Sequence, residues 1–357
     1  MSLLFTPLDL DGLTVRNRLW VSPMCQYTAT DGVPNDWHHV HLAQFASGGA
    51  GLVIAEASAV VPEGRITPED TGIWNDAQRD AWQPIVAAIH ARGAAAGIQL
   101  AHAGRKASTW SPLLDERGSV PAERGGWVTE APSALAFDGY AEPAELTVPR
   151  IDDLVAAFGA AARRADEAGF DVLEVHGAHG YLIHEFLSPL SNQRSDDYGG
   201  TLENRARFLL RVVEAVRAAA PDRVIAVRFS ATDWAEGGWG VEETATVAAW
   251  VAERGAAVID ISTGGLVAHQ QITTGPGYQV PFAATVRERT GLLTTAVGEI
   301  TDGPQAEQVL RDGLADAVMI GREWLRDPHF GLRAAGELHA PGAASLWPAQ
   351  YARAHRR

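Results

Sequence analysis

The chain has 357 residues, 46% hydrophobic and 20% charged, enough to bury a large core. No run approaches the roughly 20 unbroken apolar residues that span a bilayer, and a net charge of −15 argues against nucleic acid or an anionic membrane as partner. A single cysteine, Cys25, excludes an internal disulfide framework; with no basic-then-apolar leader in "MSLLFTPLDLDG", the expected location is a reducing cytoplasm.

Residues 8–17, "LDLDGLTVRN", read as a hairpin with an Asp-Gly turn. Eight short apolar or β-branched runs follow. They are "RLWVSPM" (18–24), "GLVIAEAS" (51–58), "GIQLAH" (97–102), "DVLEVH" (171–176), "VIAVRFS" (224–230), "VIDIST" (258–263), "LTTAVG" (293–298) and "AVMIGR" (317–322). Near-continuous apolar character predicts strands covered on both faces, as in a parallel sheet. Helical patterns separate them, most clearly at 151–170, 201–220, 241–256 and 303–313, with Gly169, Gly255 and Gly313 at their ends. The cluster "HHVH" (38–41) follows "NDW" and reads as a helix start, since no carboxylate or thiol partner for a metal is evident.

Residues 103–150 form a Gly/Pro-punctuated insertion of the length that covers an active site or makes an interface. Residues from about 340 to 357 form a tail ending in the basic "ARAHRR", read as a solvated end. The expected architecture is one (β/α)8 barrel over 1–357, a single domain closed at its bottom by the hairpin. A doubly wound open sheet is the alternative, but no G-x-G-x-x-G follows an early strand.

In such barrels, chemistry sits where strands end. Those ends carry Met24-Cys25-Gln26-Tyr27, Glu56-Ala57, Gln99 with His102, His176 with His179, Arg228, Ser262-Thr263, Gly298 and Gly321-Arg322. This polar concentration on apolar strands points to an enzyme. His176 and His179 have three readings: a metal pair, structural histidines, or a two-donor cradle for an oxygen gaining negative charge. The cradle is the stronger, because a catalytic metal wants a third ligand and the first strand end, "SPMCQY", offers no histidine. Gly298, Gly321 and Arg322 stand where barrels often bind phosphate. Arg228 is either a cation aimed into the mouth or half of a salt bridge. Cys25 is either a small buried hydrophobe or a cofactor contact; a nucleophilic role lacks an adjacent base. Lys106 is the one lysine among 29 basic residues, either a chance survivor of an arginine bias or a site that needs a compact ammonium.

The segments "SPMCQYTATDG", "GLVIAEASAVVPEGRIT", "QLAHAGRKA", "VHGAHGYLIHEFLSPLSNQRSDDYGGTLENRARF" and "MIGREWLRDPHF" together resemble the Old Yellow Enzyme family, in its bacterial thermophilic-like NADPH-dehydrogenase branch. The resemblance covers nearly the whole chain. It departs in a longer 103–150 insertion and in Glu299, where an apolar residue is ordinary. It implies a barrel with tightly bound, non-covalent FMN, reduced by NADPH or NADH, that reduces the activated C=C bond of enones. Ser22, Pro23, Met24 and Cys25 would line the flavin, with Ala57 and Gln99 against its ring and Arg228 beside its N1/O2 edge. Gly298, Gly321 and Arg322 would hold its phosphate. His176 and His179 would bind the substrate carbonyl with help from Tyr27, and Tyr181 would donate the proton. Lys106 matches a lysine near the family's active site. Arg353, in "QYAR", would enter a neighbouring subunit's site, which implies a homodimer or homotetramer.

Overall fold

The structure, a computed structural model, describes residues 2–354. Eight parallel strands close on themselves in sequence order. They are β1 (Leu19–Val21), β2 (Leu52–Ala59), β3 (Ala95–Ala101), β4 (Val172–Gly177), β5 (Val224–Ser230), β6 (Ala256–Ser262), β7 (Leu293–Ala296) and β8 (Ala317–Ile320). A helix follows each: α1 (Asp36–Ser47), α2 (Asp76–His90), α3 (Val148–Ala168), α4 (Leu202–Ala219), α5 (Val241–Ala252), α6 (Val280–Thr290), α7 (Gly303–Arg311) and α8 (Phe330–Glu337). This is the closed (β/α)8 barrel that the alternation predicts, not the open sheet. Where an expected run outlasts its strand, at 18–24, 293–298 and 317–322, the excess is the loop that leaves the mouth.

Local chemistry explains where helices begin. Asn35 and His38 form a reciprocal capping box at the start of α1, so "HHVH" does open a helix. Asn75 and Gln78 do the same for α2, and Thr147 and Asp302 cap α3 and α7. Gly169 is left-handed and caps α3. Gly255 and Gly313 instead close one further turn beyond α5 and α7, their N–H groups donating to Ala252 and Leu310 carbonyls.

The hairpin pairs Leu8–Leu10 with Leu13–Val15 through Asp11 and Gly12, both at positive φ. Its Leu10 and Val15 pack with Trp20, Leu52, Ile54, Val172 and Met319 inside the ring of strands, forming the barrel floor. A larger core lies between strands and helices and includes Phe45, Trp82, Phe158, Phe170 and Phe208. Within 103–150, a turn at Gly104–Lys106 leads to a short parallel pair, Glu130–Ala131 with Ala144–Glu145. Trp127 donates to the Glu63 carbonyl, and Arg105 to those of Leu135 and Leu266. These bonds stitch the insertion to the loops after β2 and β6.

Trp82 is fully buried on α2, edge-on to Phe170 and His38, and its indole donates to the Gly72 carbonyl. Trp82→Ala leaves a large cavity and should cost about 3–5 kcal/mol, read as a lower midpoint in chemical denaturation.

Candidate active site at the barrel mouth

Register fixes the centre of the mouth. Across β4 to β7, His176 pairs with Arg228, Arg228 with Asp260, and Asp260 with Thr295, so these residues form one row. Side chains at one level of neighbouring parallel strands point the same way. Arg228 Nε lies 2.9 Å from Asp260 Oδ2, and the Thr295 hydroxyl donates to the other oxygen of Asp260. Of the two readings of Arg228, the salt bridge is therefore present. One layer below, Gln99 Nε2 donates to Glu174 Oε1 at 2.6 Å. Burial, reinforced by Asp260, pushes the Glu174 carboxyl up to about 8 against the pull of Arg228 and Gln99, so it keeps its proton at neutral pH.

The stretch after β4 turns sharply. His179 adopts φ +61° and Gly180 φ +73°, a left-handed pair that a non-glycine residue such as histidine rarely enters. Hydrogen bonds hold this turn. His179 N–H donates to Ser230 Oγ at 2.9 Å, and Ser230 Oγ donates to the Gly264 carbonyl at 2.8 Å. The His179 ring meets Ser262 Oγ through Nε2 at 2.7 Å. Beneath, Gly180 N–H donates to His184 Nδ1 at 2.9 Å, while His184 Nε2 sits 2.9 Å from Asp233 Oδ1. His184 thus bridges the Gly180 N–H and the buried carboxylate of Asp233.

The rings of His176 and His179 stand 5.2 Å apart and nearly perpendicular, and the Tyr181 ring is 5.1 Å from His176. Burial first, then the Arg228 charge, holds both imidazoles well below their usual pKa. Each is thus a neutral ring with a single N–H; His179 meets Ser262 through Nε2, and His176 Nδ1 is the unpartnered ring nitrogen among the described residues. Burial, first of all, raises the Tyr181 hydroxyl well above its usual pKa and keeps it a phenol. His176 Nδ1 is buried and meets no hydrogen-bond partner among the described residues. Among those residues, no cluster of three or more His, Cys, Asp or Glu is placed to hold a metal.

The β1 end supplies the facing wall. Tyr27 adopts φ +54°, and its side chain hydrogen-bonds with Cys25. Glu56 occupies a bulge in β2, between the pairings of Ala55 with Ile98 and Ala57 with Gln99. From there it accepts from Gln26 N–H at 2.9 Å and lies 3.2 Å from His38 Nε2. Burial, followed by Asp70 and Glu56, raises the Cys25 thiol well above its usual pKa. Asp70 is itself pushed up to about 7 by burial and Glu56, although Ile66 N–H and Thr67 Oγ1 donate to it.

At β7 and β8, Gly298, Gly321 and Arg322 line a cavity of about 420 Å³ together with Met24 and Tyr278. A Cβ on Gly321 would press within 3.3 Å of Met24 Sδ, so this strand end approaches the β1 loop closely. The Arg322 side chain is two-thirds exposed, 3.8 Å from Glu299. Lys106 reaches the His179 turn from the β3 loop. Arg353 does not come to the mouth of its own barrel. Its segment borders a cavity with Arg16, Ser47 and Arg92, where α1 and α2 end at the floor.

The unpaired His176 nitrogen, the Gly298–Gly321 cradle with Arg322, and the buried cation Arg228 fit a planar redox cofactor carrying a phosphate. Fold and site together define an oxidoreductase barrel built around a flavin. Residues 3–340 match the NADH:flavin oxidoreductase / NADH oxidase family. NADPH dehydrogenase of Listeria monocytogenes is 47% identical over 357 residues, 99% of each chain. NADPH dehydrogenase of Bacillus subtilis is 45% identical over 353 residues, 98% of each chain. Morphinone reductase superposes with a TM-score of 0.79 at 32% identity, covering 95% of this chain and 90% of that one. The old yellow enzyme homologue from Zymomonas mobilis gives 0.77 at 31%, covering 95% and 93%. The chain belongs to the NADH:flavin oxidoreductase / NADH oxidase family, and its cofactors are FMN and a reduced nicotinamide.

Several supporting residues escape sequence reasoning: Glu174, His184, Ser230, Asp233 and Asp260. Two carried a signal, since Glu174 in "DVLEVH" and Asp260 in "VIDIST" are carboxylates inside otherwise apolar strands.

A raised thiol pKa means less thiolate at a given pH. Cys25 should therefore react with iodoacetamide at pH 8 at least about tenfold more slowly than free cysteine. Asp70→Asn removes a nearby negative charge, lowers that pKa and should speed the reaction, followed by intact mass.

Proposed function

We propose that this flavin oxidoreductase is an ene-reductase, acting on small α,β-unsaturated carbonyl compounds. The observation that carries the reading is the convergence of two neutral imidazoles and one un-ionised phenol, with ring centres 5.1–5.2 Å apart, at one strand end. Two N–H donors aimed at one oxygen stabilise the negative charge an enone carbonyl gains when its β-carbon takes hydride. Neutral donors suit this task, because they do not hand over a proton before hydride arrives. Tyr181, kept a phenol by burial, then supplies the proton to the α-carbon.

FMN, held at this mouth, would supply the hydride chemistry between NAD(P)H and the acceptor. In this reading Ser22, Pro23, Met24, Cys25, Ala57 and Gln99 hold its ring, while Arg228 favours negative charge at one edge. Gly298, Gly321 and Arg322 receive its phosphate through backbone N–H groups and a guanidinium. Tyr27 assists at the carbonyl. Arg353, at the far end of its own barrel, can serve a mouth only in a second copy of the chain.

Anaerobic NADPH should bleach the flavin absorbance, and cyclohexenone should restore it; a bleached enzyme that cyclohexenone leaves unchanged rejects the reading. Tyr181→Phe should slow that restoration by about tenfold or more, the usual scale of a lost general acid, and leave bleaching by NADPH nearly untouched. His176→Ala should weaken enone binding, seen as a raised KM in steady-state assays.

A further inference from the structure

The mechanism above leaves a half-buried cation beside the histidine turn unexplained. Lys106 is the one lysine in the chain. It stands in the turn Gly104–Lys106 after β3, yet its Nζ donates to the His179 carbonyl at 2.9 Å and to the Gly265 carbonyl at 3.0 Å. Those acceptors belong to the loops after β4 and β6. The same ammonium lies 5.0 Å from the centre of the Tyr181 ring and 4.9 Å from that of Phe137. One small charged group therefore touches both the histidine turn and the phenol.

The space around it is backbone-tight. A Cβ on Gly180 would come within 2.2 Å of the Gly265 oxygen, and a Cβ on Gly265 would meet His179 Cα and O at 2.7 Å. The two turns press directly on each other, and Lys106 joins their carbonyls. Neighbouring Arg105 cannot share the work, since its guanidinium already donates to Leu135 and Leu266. A tetrahedral ammonium points its donors at two carbonyls and still rests on an aromatic face. A flat guanidinium is wider and projects its donors in one plane.

We propose that Lys106 is a positioning residue for protonation of the substrate: it clamps the His179 and Gly265 turns together and supports the Tyr181 ring in proton-donating position. The clamp explains why an ammonium persists in a chain that otherwise uses arginine for every cation. It also gives the phenol a counter-charge. When Tyr181 releases its proton, the phenolate forms against a ring whose face already meets a cation. Glu185, fully buried, accepts from Arg105 N–H and so anchors the turn that carries Lys106. The proposal rests on the ene-reductase reading for its catalytic part and on geometry alone for the clamp.

Two measurements on FMN-loaded Lys106→Met and Lys106→Arg proteins separate these parts. Amide exchange by mass spectrometry, which needs no substrate, should quicken in the peptides carrying His179 and Gly265 in both variants. In stopped flow, restoration of flavin absorbance by cyclohexenone should slow about tenfold or more in both. Bleaching by NADPH and restoration by ferricyanide, which needs no proton donor, should each change less than about threefold, because neither draws on Tyr181. Unchanged exchange overturns the clamp. Full rescue by arginine overturns the requirement for an ammonium. An equal fall in all three flavin reactions overturns the positioning role, since it marks general damage. A native enzyme indifferent to cyclohexenone, whose variants still exchange faster, sinks the ene-reductase reading and leaves the clamp standing.

Discussion

The pair formed by Arg228 and Asp260 sets the terms for everything else at the mouth. Both side chains are buried, and a lone buried charge costs several kcal/mol, so each residue is tolerable only because the other is present. The strand register makes them adjacent, and the Thr295 hydroxyl satisfies the remaining carboxylate oxygen. Once this pair occupies the row, neighbouring titrations follow. Burial, with Asp260 as the second cause, raises the Glu174 carboxyl. Burial first, and then the Arg228 charge, holds His176 and His179 well below their usual pKa. The charge of Arg228 thus adds to burial in keeping the proposed carbonyl cradle uncharged.

A second constraint is steric. The His179–Gly180 turn has a left-handed backbone and lies against Gly264–Gly265 with no room for side chains at the glycines. Such a turn persists when its surroundings over-determine it. Here Ser230 holds its N–H, His184 the next N–H, and Lys106 its carbonyl. Residues from β3 to β6 converge on one histidine. The Ser262 hydroxyl, 2.7 Å from Nε2, fixes the direction of the His179 ring.

The architecture was legible because parallel strands buried on both faces are apolar along their length, and because the loops between them are short. The hairpin declared itself through Asp11-Gly12, the two positions that need positive φ. Strand-end residues could be read as a set for the same reason: polarity stands out against apolar strands. What stayed hidden was pairing between distant strands. Nothing local in "VIAVRFS" says that Arg228 faces Asp260, and nothing in "GYLIHEFL" says that His184 turns inward to Asp233 rather than joining the two histidines before it. Glu299 stood out as unusual in the sequence, and its place 3.8 Å from Arg322 gives it a partner.

The plug made by Leu10 and Val15 beneath the strands has a kinetic meaning. With the underside sealed by hydrocarbon, the barrel has a single doorway, and whatever reaches the row of His176 and Arg228 must come from above. On the proposed reading, nicotinamide and enone would share that entrance and use it in turn.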